Sequence, residues 1–284
     1  MSTSTTSTIV PAETKIRIID STKALLYLLD NLTGLAVDPP SLYLDLEGVL
    51  LGRHGSLCLI SLYVPPKKRI YLVDIYRLGK TAFSTANSSG SSLKAILESP
   101  TVPKVVFDIR NDSDALFSLY GISVDGIQDL QLMELATRKG SKNFVAGLAK
   151  CIEYDSRISA AAKVEWQHTK ELATRLYCPQ KGGRYEVFNE RPIKPEIVQY
   201  CARDVVLLPA LYNVYNATLS LPGERFWQVQ VSRATKDRIK LSKAPDYDGQ
   251  AKNVKVLGPW DEVSIQLAMD DWAMFEDDSV DYFA

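Results

Sequence analysis

Three groups of side chains in this sequence are of types that do chemistry, and all three are built on carboxylates. The first is Asp45-Leu46-Glu47, inside the apolar run from Ser41 to Leu50. The second is Asp108, Asp112 and Asp114, within the segment Lys104 to Phe117. The third is Tyr200 with Asp204. Carboxylates brought together repel, and buried charge is costly unless it is paired or bound to a metal. A chain that gathers several from different elements is equipped to hold cations. The two histidines, His54 and His168, cannot build a histidine-rich site, and the four cysteines (Cys58, Cys151, Cys178, Cys201) are scattered. Oxygen ligands then favour Mg²⁺, Mn²⁺ or Ca²⁺ over zinc.

The elements that must position these groups can be read from spacing. Pro39 and Pro40 precede a run whose alternation is that of a strand. Residues two apart on a strand share a face, so Asp45 and Glu47 sit side by side and Leu44 and Leu46 turn away. Lys104–Asp108 reads as a short buried strand, followed by a helix from Asn111 to Tyr120 that Gly121 terminates. Asn111 or Asp112 suits the N-cap of that helix. Asp114, one turn in, has no capping role and is the better ligand candidate. Tyr200 and Asp204 are four residues apart on a helix spanning Pro195 to Thr218, on one face and about 6 Å apart along the axis. Taken singly, each group also has a plain reading as a solvated strand face, a helix cap or a helix surface.

Around these groups the chain reads as an α/β fold with a mixed sheet flanked by helices. Ser56–Val64 and Arg69–Ile75 follow the first strand with short connections, which suggests an antiparallel meander. Helices are expected at Thr22–Asn31, Leu93–Glu98, Leu130–Thr137, Asn143–Ile152, Ala160–Leu176 and Arg225–Leu241, with Cys178–Arg191 an exposed loop. One domain is expected over residues 15–220, after a disordered tail at 1–14. A helical, basic extension (221–258) and an acidic tail (259–284) follow. Residues 261–284 carry eight acids and no Lys or Arg, with Trp272, Phe275, Tyr282 and Phe283 among them. The expectation is a solvated, disordered tail. The alternative is a segment that docks a protein partner or folds back on the basic stretch Arg233–Lys243. A net charge of −1 over 284 residues gives no overall basic field, so any nucleic-acid contact must use a local patch. No apolar run approaches the ~20 residues of a membrane span, and the thiol usage is that of an intracellular, cytoplasmic or nuclear protein.

The order Asp-x-Glu on a first strand, Asp in a helix behind the fourth, and Tyr-x-x-x-Asp on a late helix resembles the DEDD superfamily of 3′–5′ exonucleases in its tyrosine-bearing form. These are the ribonuclease-D-like domains. Within them the likeness is nearest to the Egalitarian-like and piRNA-biogenesis exonuclease-domain proteins. Four stretches carry it, over roughly residues 40–215: Glu47-Gly48 with Arg53-His54-Gly55 and Cys58; Tyr71 to Ile75; Lys104 to Asp114 with Tyr120-Gly121; and Arg191-Pro192 leading to Tyr200–Asp204. The resemblance implies a ribonuclease H-like sheet, three antiparallel strands and then parallel ones. It implies that Asp45, Glu47, Asp114 and Asp204 bind two Mg²⁺ or Mn²⁺ ions. Tyr200 would orient the attacking water and help deprotonate it. The implied reaction is hydrolysis of RNA or single-stranded DNA from the 3′ end to nucleoside monophosphates. Some Egalitarian-like members lack these acids and resemble RNA-binding scaffolds; this chain keeps all five residues. A catalytically silent nucleic-acid or protein-binding module is the alternative. The chain departs from the family at Phe107, where many members carry a polar residue or histidine, and Asp108 becomes a supporting acid. His54 is expected to serve a turn that keeps the first strands in register. Candidate strand contacts are Arg110, Lys163, Lys170, Lys181 and Arg184, with Tyr177, Tyr185 and Phe188 interleaved.

Overall fold

The computed structural model describes residues 14–154, 157–251 and 255–280; the N-terminal stretch to residue 13, Tyr282 and Phe283 lie outside them. The strands are β1 (Lys15–Ile19), β2 (Leu42–Glu47), β3 (Leu59–Val64), β4 (Arg69–Asp74), β5 (Lys104–Val106) and β6 (Ile127–Asp129). They form one mixed sheet in the order β1-β4-β3-β2-β5-β6. β2, β3 and β4 are the expected antiparallel meander, and β1, β5 and β6 add parallel edges. β1 and β6 are additions to the sequence reading.

Alternation along β2 does what the period of two requires. Leu42, Leu44 and Leu46 enter one core, with Leu25, Leu28 and Leu29 of α1 (Thr22–Leu32) and Leu116 of α5 (Arg110–Tyr120). Tyr43 enters the other core, with residues of α6 (Leu130–Thr137), α8 (Ala160–Tyr177), α9 (Pro195–Val206) and α10 (Leu208–Leu219). Asp45 and Glu47 share the Tyr43 face, under α9.

Only Leu42 and Tyr43 of β2 pair with β5, because β5 ends at Val106. Beyond Tyr43 the two parallel strands part. A gap opens at their carboxyl ends, the place where open α/β sheets bind ligands. The remaining α-helices up to residue 242 are α2 (Ile75–Leu78), α3 (Thr81–Ser84), α4 (Leu93–Glu98), α7 (Leu148–Tyr154) and α11 (Arg225–Ser242).

Four expectations need correction. Pro195–Thr218 is two helices, broken at Leu207. Pro209 supplies no N–H and its ring crowds the preceding turn, so the ladder cannot run through it. The segment Cys178–Arg191 is not wholly exposed: it contains a 3₁₀ turn at Tyr185–Asn189 whose Val187 and Phe188 are buried. The boundary near residue 220 separates α11 from the elements it packs on, α5, α6 and β6. The tail is also structured where described, as α12 (Glu262–Val280). Trp260 is buried edge-on to Trp227, with centroids 5.3 Å apart, and Trp272 meets Phe226 at 6.0 Å. The tail thus seats its tryptophans on the start of α11, not on the basic stretch at its end.

Candidate active site

Asp45 and Glu47 lie at the open end of β2, and the loop after Glu47 turns sharply to hold them there. A Cβ on Gly48 would stand 1.8 Å from the Ser56 carbonyl oxygen, and one on Gly55 would stand 2.2 Å from those of Val49 and Leu50. The Arg53-His54-Gly55 turn is therefore at the carboxylate end of the strand pair, with His54 exposed.

α9 crosses above β2, β3 and β4 and lowers Tyr200 and Asp204, both buried, onto the two strand acids. The Tyr200 hydroxyl hydrogen-bonds Glu47, and its ring lies 5.4 Å from Tyr177, which in turn lies 5.5 Å from Phe188. That segment is pinned by Arg191, which makes a two-pronged ion pair with Asp74 at 2.5 and 2.6 Å. α8 contributes two further groups. Trp166 Nε1 donates to Asp204 Oδ1 at 2.9 Å, and Lys170 Nζ donates to Asp204 Oδ2 at 3.0 Å.

The remaining acid is Asp112, where the sequence reading placed Asp114. Helix α5 begins at Arg110 with Ile109 at its N-cap and no side-chain cap bond, so Asp112 is not a cap. Residues two apart on a helix are about 200° apart around it, so Asp112 and Asp114 point in opposed directions. Asp112 shares the face of Leu116 and turns into the gap between β2 and β5, where Asp45 and Glu47 act on it. Asp114 turns the other way. It accepts from Arg53, at 2.8 Å from both Nε and the backbone N–H, and from Ser118 at 3.2 Å. The clue in the sequence was the i to i+4 step from Asp112 to Leu116 on an apolar stripe. Phe117, three residues after Asp114, obscured it: an apolar residue that is in fact 39% exposed.

The start of α5 is set from outside it. Asp108 has φ +64°, in the left-handed region that non-glycine residues seldom occupy. The Asp129 carboxylate accepts from the backbone N–H groups of Asp108 (3.0 Å), Ile109 (3.2 Å) and Gln131 (3.0 Å). Arg238 of α11 pairs with Asp129 at 2.7 Å and reaches Asp108 at 3.6 Å. Arg110 is buried against Asp108 at 2.6 Å, which takes it out of the list of strand contacts. Phe188 is likewise buried, Arg184 is paired with Glu190, and Lys163 donates to the Glu153 carbonyl. Lys170 and Lys181 instead share a cavity of about 540 Å³ with Lys150 and Trp166.

The charge balance follows from this crowding. Burial, then Asp45, raises Glu47 well above the ordinary carboxylate range. Burial, then Asp45 and Asp108, does the same to Asp112. Burial, and Asp204 beside it, pushes Asp45 from 3.8 up to about 7. Burial and Glu47 keep Tyr200 as the neutral phenol. Asp45, Glu47 and Asp112 are all raised, so the folded state keeps protons that the unfolded chain has released, and stability falls as pH rises above about 3.8. Urea unfolding in buffer free of divalent cations should show this fall, and Asp45→Asn should make it shallower, because burial still raises Glu47 and Asp112.

Excess negative charge on oxygen donors suits a hard divalent cation. As the side chains stand, no group of three His, Cys, Asp or Glu among the described residues is set to hold one. All four cysteines are free thiols, and no helix among the described residues is long and apolar enough to cross a membrane.

The mouse (Mus musculus) piRNA biogenesis protein EXD1 is 38% identical over 163 residues, 57% of this chain and 26% of that protein. Its silkworm (Bombyx mori) counterpart is 25% identical over 183 residues, 63% of this chain and 50% of that protein. The chain spans half or less of the length of these relatives. Among solved structures, Trypanosoma brucei RNase D in complex with RNA U12 superposes with a TM-score of 0.66 at 18% identity, covering 92% of this chain and 80% of that one. Brucella melitensis NrnC with bound Mg²⁺ gives 0.52 at 18% identity, covering 84% and 99%. These two share the fold. A 3′–5′ exonuclease family model matches residues 16–219, from β1 to the last turn of α10, a stretch that holds every acid of the cleft, and by that match the chain belongs to the 3′–5′ exonuclease family.

Proposed function

We propose that this chain is a divalent-metal-dependent 3′–5′ exonuclease that hydrolyses phosphodiester bonds of single-stranded nucleic acid to nucleoside monophosphates. The observation that carries it is the convergence of buried acids in one cleft: Asp204 acts on Asp45 and Glu47, these two act on Asp112, and Tyr200 is bound to Glu47. These four acids would hold two Mg²⁺ or Mn²⁺ ions, with Asp112 taking the role first given to Asp114. When bound, such ions stabilise the attacking and departing oxygens of an in-line displacement. Tyr200 has the orienting role: its O–H is engaged by Glu47, Tyr177 hydrogen-bonds the same hydroxyl, and one lone pair is left to accept from a water. RNA is put first as substrate, because RNase D of the same fold was solved with RNA and the relatives are piRNA biogenesis proteins. Single-stranded DNA is the second candidate.

Digestion of 5′-labelled RNA and DNA oligonucleotides, with Mg²⁺, Mn²⁺ or chelator, tests this. Wild type should shorten RNA one nucleotide at a time from its 3′ end. Tyr200→Phe keeps the ring stack and loses the hydroxyl, and should slow the reaction about a hundredfold. Intact oligonucleotides under every wild-type condition would exclude the enzyme reading. A second reading, a silent binding module, is favoured by one observation: both Asp204 oxygens are already engaged, by Trp166 and Lys170.

A further inference from the structure

Lys170 is out of place for a surface lysine. Its ammonium sits 3.0 Å from Asp204 Oδ2, 4.9 Å from the centre of the Trp166 ring and 5.5 Å from that of Tyr200. The side chain is 29% exposed, so a path to solvent remains, while its partner Asp204 is 5% exposed. The same charge acts on Asp45 and Glu47, easing the repulsion between them. Burial works against this ammonium, yet Asp204 more than offsets it and holds the lysine in its charged form.

Two properties follow from the geometry. Lys170 does electrostatically, for at least three carboxylates, what a bound cation would do. It also donates to one Asp204 oxygen, and Trp166 to the other. An ion that takes a remaining lone pair of Asp204 brings a double positive charge beside the ammonium, and of the two donors it is the lysine that it repels. The indole is the harder to move, because Trp166 is buried at 2% exposure in the core. The lysine has an exit: beyond it lies the cavity of about 540 Å³ between α7 and α8, with Glu153 and Glu171 on its walls.

Resting on the metal-site reading above, we propose that Lys170 is a built-in counter-ion of the acid cleft, one that holds the cleft together without metal and competes by its charge with a divalent cation for Asp204. Metal loading is then a competition between an internal ammonium and an external ion. The lysine stabilises the metal-free form of the cleft and lowers its metal affinity.

The test is metal binding and stability of the full chain, with no substrate present. Mn²⁺ affinity is measured by titration calorimetry for wild type, Lys170→Met, Lys170→Gln and Lys170→Arg. The two neutral variants should bind Mn²⁺ about tenfold tighter, the factor expected for losing one partly exposed charge-assisted contact. Lys170→Arg retains the competing charge and should stay near wild type. In chelator the neutral variants should melt below wild type, and saturating Mn²⁺ should close that gap. A lysine with a merely structural role would give no tighter binding. If wild type binds Mn²⁺ and both neutral variants bind it equally or more weakly, the counter-ion assignment is overturned while the metal site stands. If no form binds Mn²⁺, the metal-site reading falls and this one with it. Met and Gln differ in shape and polarity, so misfolding of one, seen by circular dichroism, leaves the other to decide.

Discussion

Asp112→Asn is expected to lower 3′-end digestion on the order of a thousandfold, whereas Asp114→Ala is expected to leave most of the rate and to lower stability instead. The first figure follows from removing one charged ligand: several kcal/mol of transition-state stabilisation corresponds to about three factors of ten. Asparagine keeps the shape of Asp112, so the fold should hold, and with less repulsion in the cleft the metal-free protein should melt higher. Asp114 is a different case. Its oxygens are spent on Arg53, whose guanidinium also donates to the carbonyls of Ser242 (2.9 Å) and Pro245 (2.8 Å). The pair therefore ties the Gly48–Leu57 loop to α5 and to the end of α11. Breaking it leaves a largely buried guanidinium short of its carboxylate, at a cost of about 3 kcal/mol. Single-turnover digestion and thermal unfolding of both variants check the assignment. A dead Asp114→Ala enzyme beside an active Asp112→Asn one would reverse it.

Arg238→Met is expected to destabilise the chain by about 3–5 kcal/mol and to slow digestion with it. Arg238 is buried, its partner Asp129 fully so, and it also donates to Gln131 Oε1 at 2.9 Å. Methionine fills the space but leaves the Asp129 charge without its cation. That carboxylate holds the backbone turn from which α5 starts, so loosening it moves Asp112 in the cleft. Urea denaturation should show a lower midpoint with an unchanged slope. Truncation makes the same point more severely. A chain ending at residue 220 keeps the whole family match yet lacks Arg238, and it exposes the faces of α5 and α6 that α11 covers. It is expected to fail to fold. A stable, active truncated chain would show that the domain does end there.

How much of this was legible beforehand depends on how local each cause is. The pairing of Asp45 with Glu47 and of Tyr200 with Asp204 follows from the periods of strand and helix, which act over two to four residues. The α/β class and the meander follow from alternation and turns of the same range. β5 was legible as the apolar run Lys104–Asp108, whereas β6, at three residues, is too short to carry a period of its own and is placed by its pairing with β5.

By itself, then, the sequence determined which residue types could meet and that Asp45 shares a strand face with Glu47 and Tyr200 a helix face with Asp204. The tertiary structure decided which acid of α5 lies near Asp45 and Glu47. The first turn of α5 starts where the Asp129 carboxylate receives the backbone of Asp108 and Ile109, a bond spanning 20 or 21 residues, and Arg238 balances that carboxylate from 109 residues away. No local signal encodes contacts at that distance. They set the phase of the helix, and on a helix a shift of two residues is the difference between a side chain aimed into the cleft and one aimed at Arg53. The same holds for Lys170, which reads in sequence as one more surface lysine on α8 and which the packing of α8 on α9 sets against Asp204.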